Sequence, residues 1–409
     1  MTLSSVGSDA PERTRGEPWM RVKRLALLRP RLGAEAGPVP VVIGLIVIWG
    51  YFESQNANFL TARNLSNLVL QMAVTAILAM GVVMVMVAGE IDLSLGSVTG
   101  ASACLLGVLL TLDHWSVAPA IAVTLGFGIL IGSVQGAITA LVGVPSFIVT
   151  LGGFLAIGGV QLALAGSAGE IAINDGTVLA VANDYLSSAV AWGVVGAVIV
   201  ALAGVEMARR RSWSRGSPGA QPWWPGLLRV VVSAAVLVVA TLVLNSYFGV
   251  PYLLVGLVGL AIGLGWITRR TGFGRHLYAV GGNAEAARRA GISVTGIKIA
   301  VLAASGLLAA VAGIVSASRL YSVDAGTGGG TLLLEAIAAA VIGGTSLFGG
   351  RGRIYNALLG ALVIDSVENG LDLLGESAST KNIATGIILV LAVCLDALNR
   401  RRRSRAGGR

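Results

Sequence analysis

Glu90 and Asp92 stand two residues apart at the end of the apolar run 73–88, and Ser94, Gly96 and Ser97 follow them. An acidic group at the centre of a bilayer span costs about 2.5 to 3.5 kcal/mol on insertion scales. Carboxylates at that depth therefore face a cavity, a pathway or a partner. Two readings stay open: Glu90, Asp92 and Ser94 line a route for a polar solute, or Asp92 or Ser94 caps the next helix. The stretch Val144-Pro-Ser-Phe-Ile-Val-Thr-Leu-Gly-Gly153 offers Phe147 and Thr150. An aromatic face and a hydroxyl suit a sugar, whose ring has apolar faces and polar edges. An ordinary membrane helix with Pro145 at its first turn reads the same way. Asp365, Glu368 and Asp372 are spaced i, i+3 and i+7 and share one helix face, with Glu335 and Asn369 as further polar groups in or beside late spans. That face looks into the bundle or lies at a solvated helix end.

A third group carries charge rather than acid–base chemistry. Within Gly272–Ile292, Asn283 is a good N-cap, Glu285 places negative charge on the first turn, and Arg288 and Arg289 place positive charge on the last. Gly291 can take the left-handed stop conformation. The helix spans only about two turns and is marginal alone, so a surface outside the loop must hold it. No Gly-x-x-x-x-Gly-Lys-[Ser/Thr] phosphate loop and no His/Cys set with zinc spacing occurs, and the only imidazoles are His114 and His276. Catalysis and a resident cofactor or metal are not expected.

The elements that must position these residues are membrane spans. Of 409 residues, 55% are hydrophobic and 12% charged, against roughly 25% charged in a soluble domain. Apolar runs recur near 39–53, 64–88, 94–112, 117–143, 147–165, 189–206, 229–247, 252–268, 297–318, 332–349, 354–373 and 383–399. The pattern predicts an all-α integral membrane protein with about 10–12 transmembrane helices. The runs 94–112 and 332–349, rich in Gly, Ala and Ser, are the doubtful ones, as re-entrant or broken helices. Residues 1–36 form a basic tail, 37–399 the membrane domain and 400–409 a second basic tail. Excess Lys and Arg mark the cytoplasmic side, which places both tails and the loops 207–228 and 269–296 there. The net charge of +9 is explained by this topology rather than by nucleic acid. Trp213, Trp223 and Trp224 among arginines fit the lipid interface. No cleavable signal peptide is read, and Cys104 and Cys394 lie inside apolar runs, implying no disulfide framework.

A weak internal repeat relates Gly89-Glu-Ile-Asp-Leu-Ser-Leu-Gly96 to Gly343-Gly-Thr-Ser-Leu-Phe-Gly-Gly350. Each follows an apolar helix, and matching Gly-interrupted segments point to a transporter built of two pseudo-repeated halves, parallel or inverted. The repeat brings Thr345 and Ser346 to the candidate pathway beside Glu90, Asp92 and Ser94.

These stretches, with Phe273-Gly-Arg-His-Leu-Tyr-Ala-Val-Gly-Gly282 and the helix after it, resemble in order and spacing the membrane permease of bacterial ABC monosaccharide importers, the ribose and xylose type, over about residues 40–399. Glu90 stands where many members carry Gly. Together with the long Arg/Trp loop at 207–228 it looks most like the xylose-transporting members. The resemblance implies the ABC importer permease fold in the bacterial cytoplasmic (inner) membrane. It implies a homodimer, separate ATPase subunits that hydrolyse the ATP, and a periplasmic or lipid-anchored sugar-binding protein. Asn283–Gly291 would then be the coupling helix seated on the ATPase, its small residues Ala284, Ala286, Ala287 and Ala290 allowing close approach. The alternative is an ion-coupled secondary sugar transporter, for which Glu90 and Asp92 are the available acids.

Overall fold

The computed structural model describes residues 39–166, 169–214 and 223–407, so the expected N-terminal tail and Arg215 lie outside the described residues. The first half of the chain forms helices Val39–Gln55 (α1), Ala62–Val87 (α2), Leu95–Gly107 (α3), Val117–Ala137 (α4), Ser146–Ala165 (α5), Gly176–Asn183 (α6) and Ser188–Ser214 (α7). The second half forms Trp224–Asn245 (α8), Tyr252–Arg270 (α9), Gly272–Gly282 (α10), Ala284–Arg289 (α11), Val294–Leu320 (α12), Leu332–Ile342 (α13), Ile354–Leu373 (α14) and Ala378–Gly407 (α15). π-helical turns at Val108–Leu112 and Ile138–Val142 extend α3 and α4. Strands Glu170–Ala172 (β1), Tyr185–Leu186 (β2), Val250–Pro251 (β3) and Ser322–Asp324 (β4) pair antiparallel, β1 with β4 and β2 with β3. They close the bundle at one end, the strand end.

Among the described residues eight helices are long and apolar enough to cross a membrane. The protein is an all-α, multi-pass membrane protein. Its centre is set by α2, 89% buried over its most apolar window, and α12, 67% buried, whereas α7 and α8 are only 11% buried and lie outside. A helix apolar on all sides belongs either in a core or in lipid, and α2 takes the core.

Lipid tails are as apolar as leucine, so no hydrophobic force draws these helices together and close backbone packing takes its place. Gly128, Gly132 and Gly136 of α4 form one small-residue stripe against α12. A Cβ at Gly132 would lie 2.1 Å from the Leu302 carbonyl oxygen, and one at Gly128 would lie 2.3 Å from that of Gly306. Gly132→Val is therefore expected to lower stability by about 3 kcal/mol, read as a fall in melting temperature in detergent. Gly126→Val, with nothing within 4 Å of its Cβ position, is the near-neutral control.

One doubtful run proves broken, as its Gly, Ala and Ser content allowed, and three expectations change, at 207–228, 272–282 and 400–409. The span expected at 332–349 is helical only over the 11 residues of α13, roughly 16 Å of helix at 1.5 Å per residue, too short to cross. Ahead of it, residues 325–331 form a run of turns that descends beside α3: Val323 packs at Gly107, Thr327 at Gly100 and Gly328 at Gly96. α3 also starts inside the bundle, and Gly96 lies beside Leu333, so the two short helices begin side by side and run in opposite directions. First, the loop expected at 207–228 is mostly helix, since α7 runs to Ser214 and α8 starts at Trp224. Glu206 draws Arg209, Arg210 and Arg229 around it at 3.3–3.8 Å. Second, 272–282 is a helix rather than loop, and third, the tail expected at 400–409 continues α15 to Gly407.

Candidate functional site

At the end opposite the strands, three segments meet: the turn after α2, the turn 343–353 after α13, and the pair α10–α11. The α11 helix forms as its caps dictate. The Asn283 side chain accepts from the Ala286 amide at 2.9 Å, and Gly291 takes φ 81°. The Gly291 and Ile292 amides return to the carbonyls of Arg288 and Ala287, satisfying the last carbonyls of the helix. Glu285 and Arg289 pair at 3.5 Å on the outer surface. The four alanines do not form one free face. Ala287 is buried and Ala284 half-buried against the bundle, while Ala286 and Ala290 are exposed together with Glu285, Arg288 and Arg289. The reason is the helical repeat, which turns residues 284 and 287 to one side and 285, 288 and 289 to the other.

α10 ties this helix to the bundle. Thr271 caps it, accepting from the Gly274 amide, and Leu277 and Val280 bury its inner face. The Tyr278 hydroxyl donates to the Gly352 carbonyl at 2.7 Å, and burial pushes its pKa up from the ordinary tyrosine value against the opposing pull of Arg269 and Arg353. Gly281 lies against Val87 and Gly350, and Gly349 against Gly89. The Gly350 amide donates to the Val87 carbonyl at 2.9 Å.

The segment Glu90–Ser94 is irregular, and each of its polar side chains is engaged. Glu90 pairs with Lys298 of α12 at 2.5 Å. Asp92 is buried, and its Oδ1 accepts from the Ser94 amide at 2.9 Å and the Ser94 hydroxyl at 2.7 Å, while its Oδ2 accepts from Ser305 at 2.9 Å. The Ile91 amide donates to Ser146 and the Leu93 amide to Thr150, both at 3.1 Å. Thr150 is thus fully buried and occupied, whereas Phe147 is 48% exposed on the outer side of α5. The structure does not bring these two to one surface. Thr345 is buried, and Ser346 is held in its turn by the Arg351 carbonyl at 3.0 Å. A cavity of about 210 Å³ lies between the two regions, lined by Glu90, Lys298, Thr139, Thr295 and Arg288. It joins the acidic segment to the exposed short helix.

The acidic face of α14 divides. Asp365 is buried, accepting from Thr75 at 3.2 Å, and Asn369 accepts from Asn64 at 2.7 Å. Asp372, one turn further, is exposed and meets Lys381 at 2.5 Å. Both readings of that face hold, each for one end. Sequence reasoning missed Lys298, Ser305, Gln135 and Gln161; a lone polar residue within an apolar run was the available signal.

Residues 64–393 match the family described as branched-chain amino acid transport system / permease component. The chain is 36% identical over 370 residues to the xylose transport system permease protein of Escherichia coli, covering 88% of this chain and 92% of that protein. The Haemophilus influenzae protein of the same name is 35% identical over 366 residues, covering 88% and 96%. The ribose import permease protein of Escherichia coli is 32% identical over 365 residues, covering 87% and 92%. No solved structure matches the chain. Likeness at this level over almost the full length, together with the all-α multi-pass bundle, places the chain in the branched-chain amino acid transport system / permease component family.

Proposed function

We propose that the protein is the membrane permease subunit of an ATP-driven importer of a monosaccharide, a pentose such as xylose. The observation that carries this reading is the near full-length likeness to xylose and ribose permeases. The chain is a transport subunit, works as a homodimer in the cytoplasmic membrane, and receives sugar from a separate binding protein. Both termini and α11 lie on the cytoplasmic side, and α11 is the coupling helix. Its exposed charged face and its Gly281 seat against two glycine turns support that role. The meeting of the Gly89 and Gly349 turns supports two pseudo-repeated halves.

ATP-driven closure of the partner ATPases displaces α11, and α10 passes the motion to the turns at Gly89 and Gly349. Glu90, Asp92, Ser94 and Thr150 then act mainly as a clamp on the segment after α2, because their polar atoms are engaged with one another and with α12. Thr345, Ser346 and Phe147 flank that route. A neutral sugar needs no fixed countercharge, which fits the ion pairing of Glu90.

Reconstitution with the partner ATPase and binding protein tests this reading, with ATP-dependent uptake of radiolabelled xylose as the readout. Uphill uptake by this chain alone on an ion gradient would replace it with a secondary transporter. Reversing the charge of Glu285 or Arg288 is expected to weaken ATPase co-purification by about tenfold or more, since like charges set face to face across an interface cost several kcal/mol. Unchanged co-purification would remove the coupling role from α11.

A further inference from the structure

The turn segment 325–331 is an irregular stretch set inside a helical bundle, and one side of it is open. Asp324, Ala325, Gly326, Gly329 and Gly330 are all exposed. Its depth follows from its neighbours. Gly328 packs on Gly96 and Gly100, and the Thr99 carbonyl oxygen lies 2.5 Å from the Cβ position of Gly313. Gly313 is seven residues before the end of α12 at Leu320, so the segment reaches roughly 10 Å below the strand end. The inner side is well satisfied. Gln161 of α5 donates to the carbonyls of Asp324, Ala325 and Thr327 at 3.3, 3.1 and 2.7 Å. The amides of Gly328 and of the exposed Gly330 find no hydrogen-bond partner among the described residues.

Unpaired peptide groups and an exposed carboxylate do not face hydrocarbon, where each unsatisfied group costs several kcal/mol. Irregular backbone at membrane depth survives only where protein buries it or water wets it. Here protein covers one side alone. The geometry points to a water-filled passage on the other, with Asp324–Gly330 as the wall along which a neutral polyhydroxyl solute moves. Peptide amides and carbonyls and the Asp324 carboxylate supply donors and acceptors that exchange readily with sugar hydroxyls. Three glycines at 326, 329 and 330 leave that wall without bulk. The identity of the solute as a sugar rests on the function proposed above; the passage itself does not.

The test places single cysteines at Ala325 and Gly326 in the full chain carrying Cys104→Ala and Cys394→Ser. Ala325 already carries a Cβ, and a Cβ at Gly326 meets nothing closer than 3.5 Å. Membranes are treated with a charged, membrane-impermeant methanethiosulfonate. The thiolate is the reacting form and is suppressed in apolar surroundings, so both positions should be modified at least about tenfold faster than Leu155→Cys on the exposed apolar face of α5. They should approach the rate of Ser377→Cys in the exposed loop after α14. A rate equal to that of Leu155→Cys overturns the passage. So does oxidative cross-linking of Ala325→Cys into a covalent dimer, which would make the segment a contact between copies. In the assembled importer, the adduct at residue 325 should abolish xylose uptake while ATPase co-purification persists; uptake unchanged by complete modification removes the segment from the solute route. If the unmodified importer carries no pentose, the sugar assignment falls and the labelling result still decides the passage.

Discussion

Replacing Gly281 with alanine should cost the protein about 3 kcal/mol or more, the upper range for forcing atoms into a filled space, and should abolish ATP-dependent uptake. A Cβ there would lie 1.6 Å from the Val87 carbonyl oxygen and 2.8 Å from the Gly350 amide. Neither neighbour is a side chain that can swing away. Both are backbone, one at the end of α2 and the other in the glycine turn after α13. The added methyl must lever α10 away from the turns, and α11, two residues further along the chain, moves with it. Gly282 provides the matched control, because nothing lies within 4 Å of its Cβ position and its φ is ordinary. Gly282→Ala should leave melting temperature in detergent and uptake near the parent values. Equal behaviour of the two substitutions would show that the contact between α10 and the turns transmits nothing.

Gln161→Leu is the second large effect. The side chain is 5% exposed and is the donor for three carbonyls, one at the end of β4 and two in the turn segment after it. Leucine keeps much of the volume and removes the donor. Leaving the buried Thr327 carbonyl unpaired costs roughly 1–3 kcal/mol, and the Ala325 carbonyl loses its donor as well. Gln161→Glu should be worse, since a carboxylate places another acceptor against three. A packing account ranks the two the other way, the near-isosteric glutamate being the milder. Thermal melting in detergent gives the order, and proteolysis between residues 324 and 332 should accelerate in both.

The helices were legible because length and apolarity together define a span, and α11 was legible because caps and end charges are local. α10 was not, because Gly272, Gly274, Gly281 and Gly282 read as loop. Its true signal was Phe273, Leu277 and Val280 at helical spacing, buried or half-buried on one face. The broken descent after α12 left its mark in Gly326-Thr-Gly-Gly-Gly330, a run that no helix tolerates without cost. The acids at 90 and 92 announced themselves by their expense, but their use did not. Lys298 and Ser305 lie more than 200 residues away along the chain, and only the fold brings them to Glu90 and Asp92. The stripe Gly128, Gly132 and Gly136 was readable as a packing face from spacing alone, although its partner α12 was not.

The non-helical descent before α13 also governs how the polypeptide is made. Insertion machinery offers the bilayer one segment at a time, and 11 residues of helix preceded by open backbone cannot partition there unaided. The seat for this stretch is built by Gly96 and Gly100 of α3 and Gln161 of α5, all synthesised more than 150 residues earlier. The N-terminal half must therefore stand assembled as a template before α13 and the turns ahead of it can take their place. A defect in that amino-terminal seat is expected to appear as misplacement of α13, far along the chain from the substituted residue.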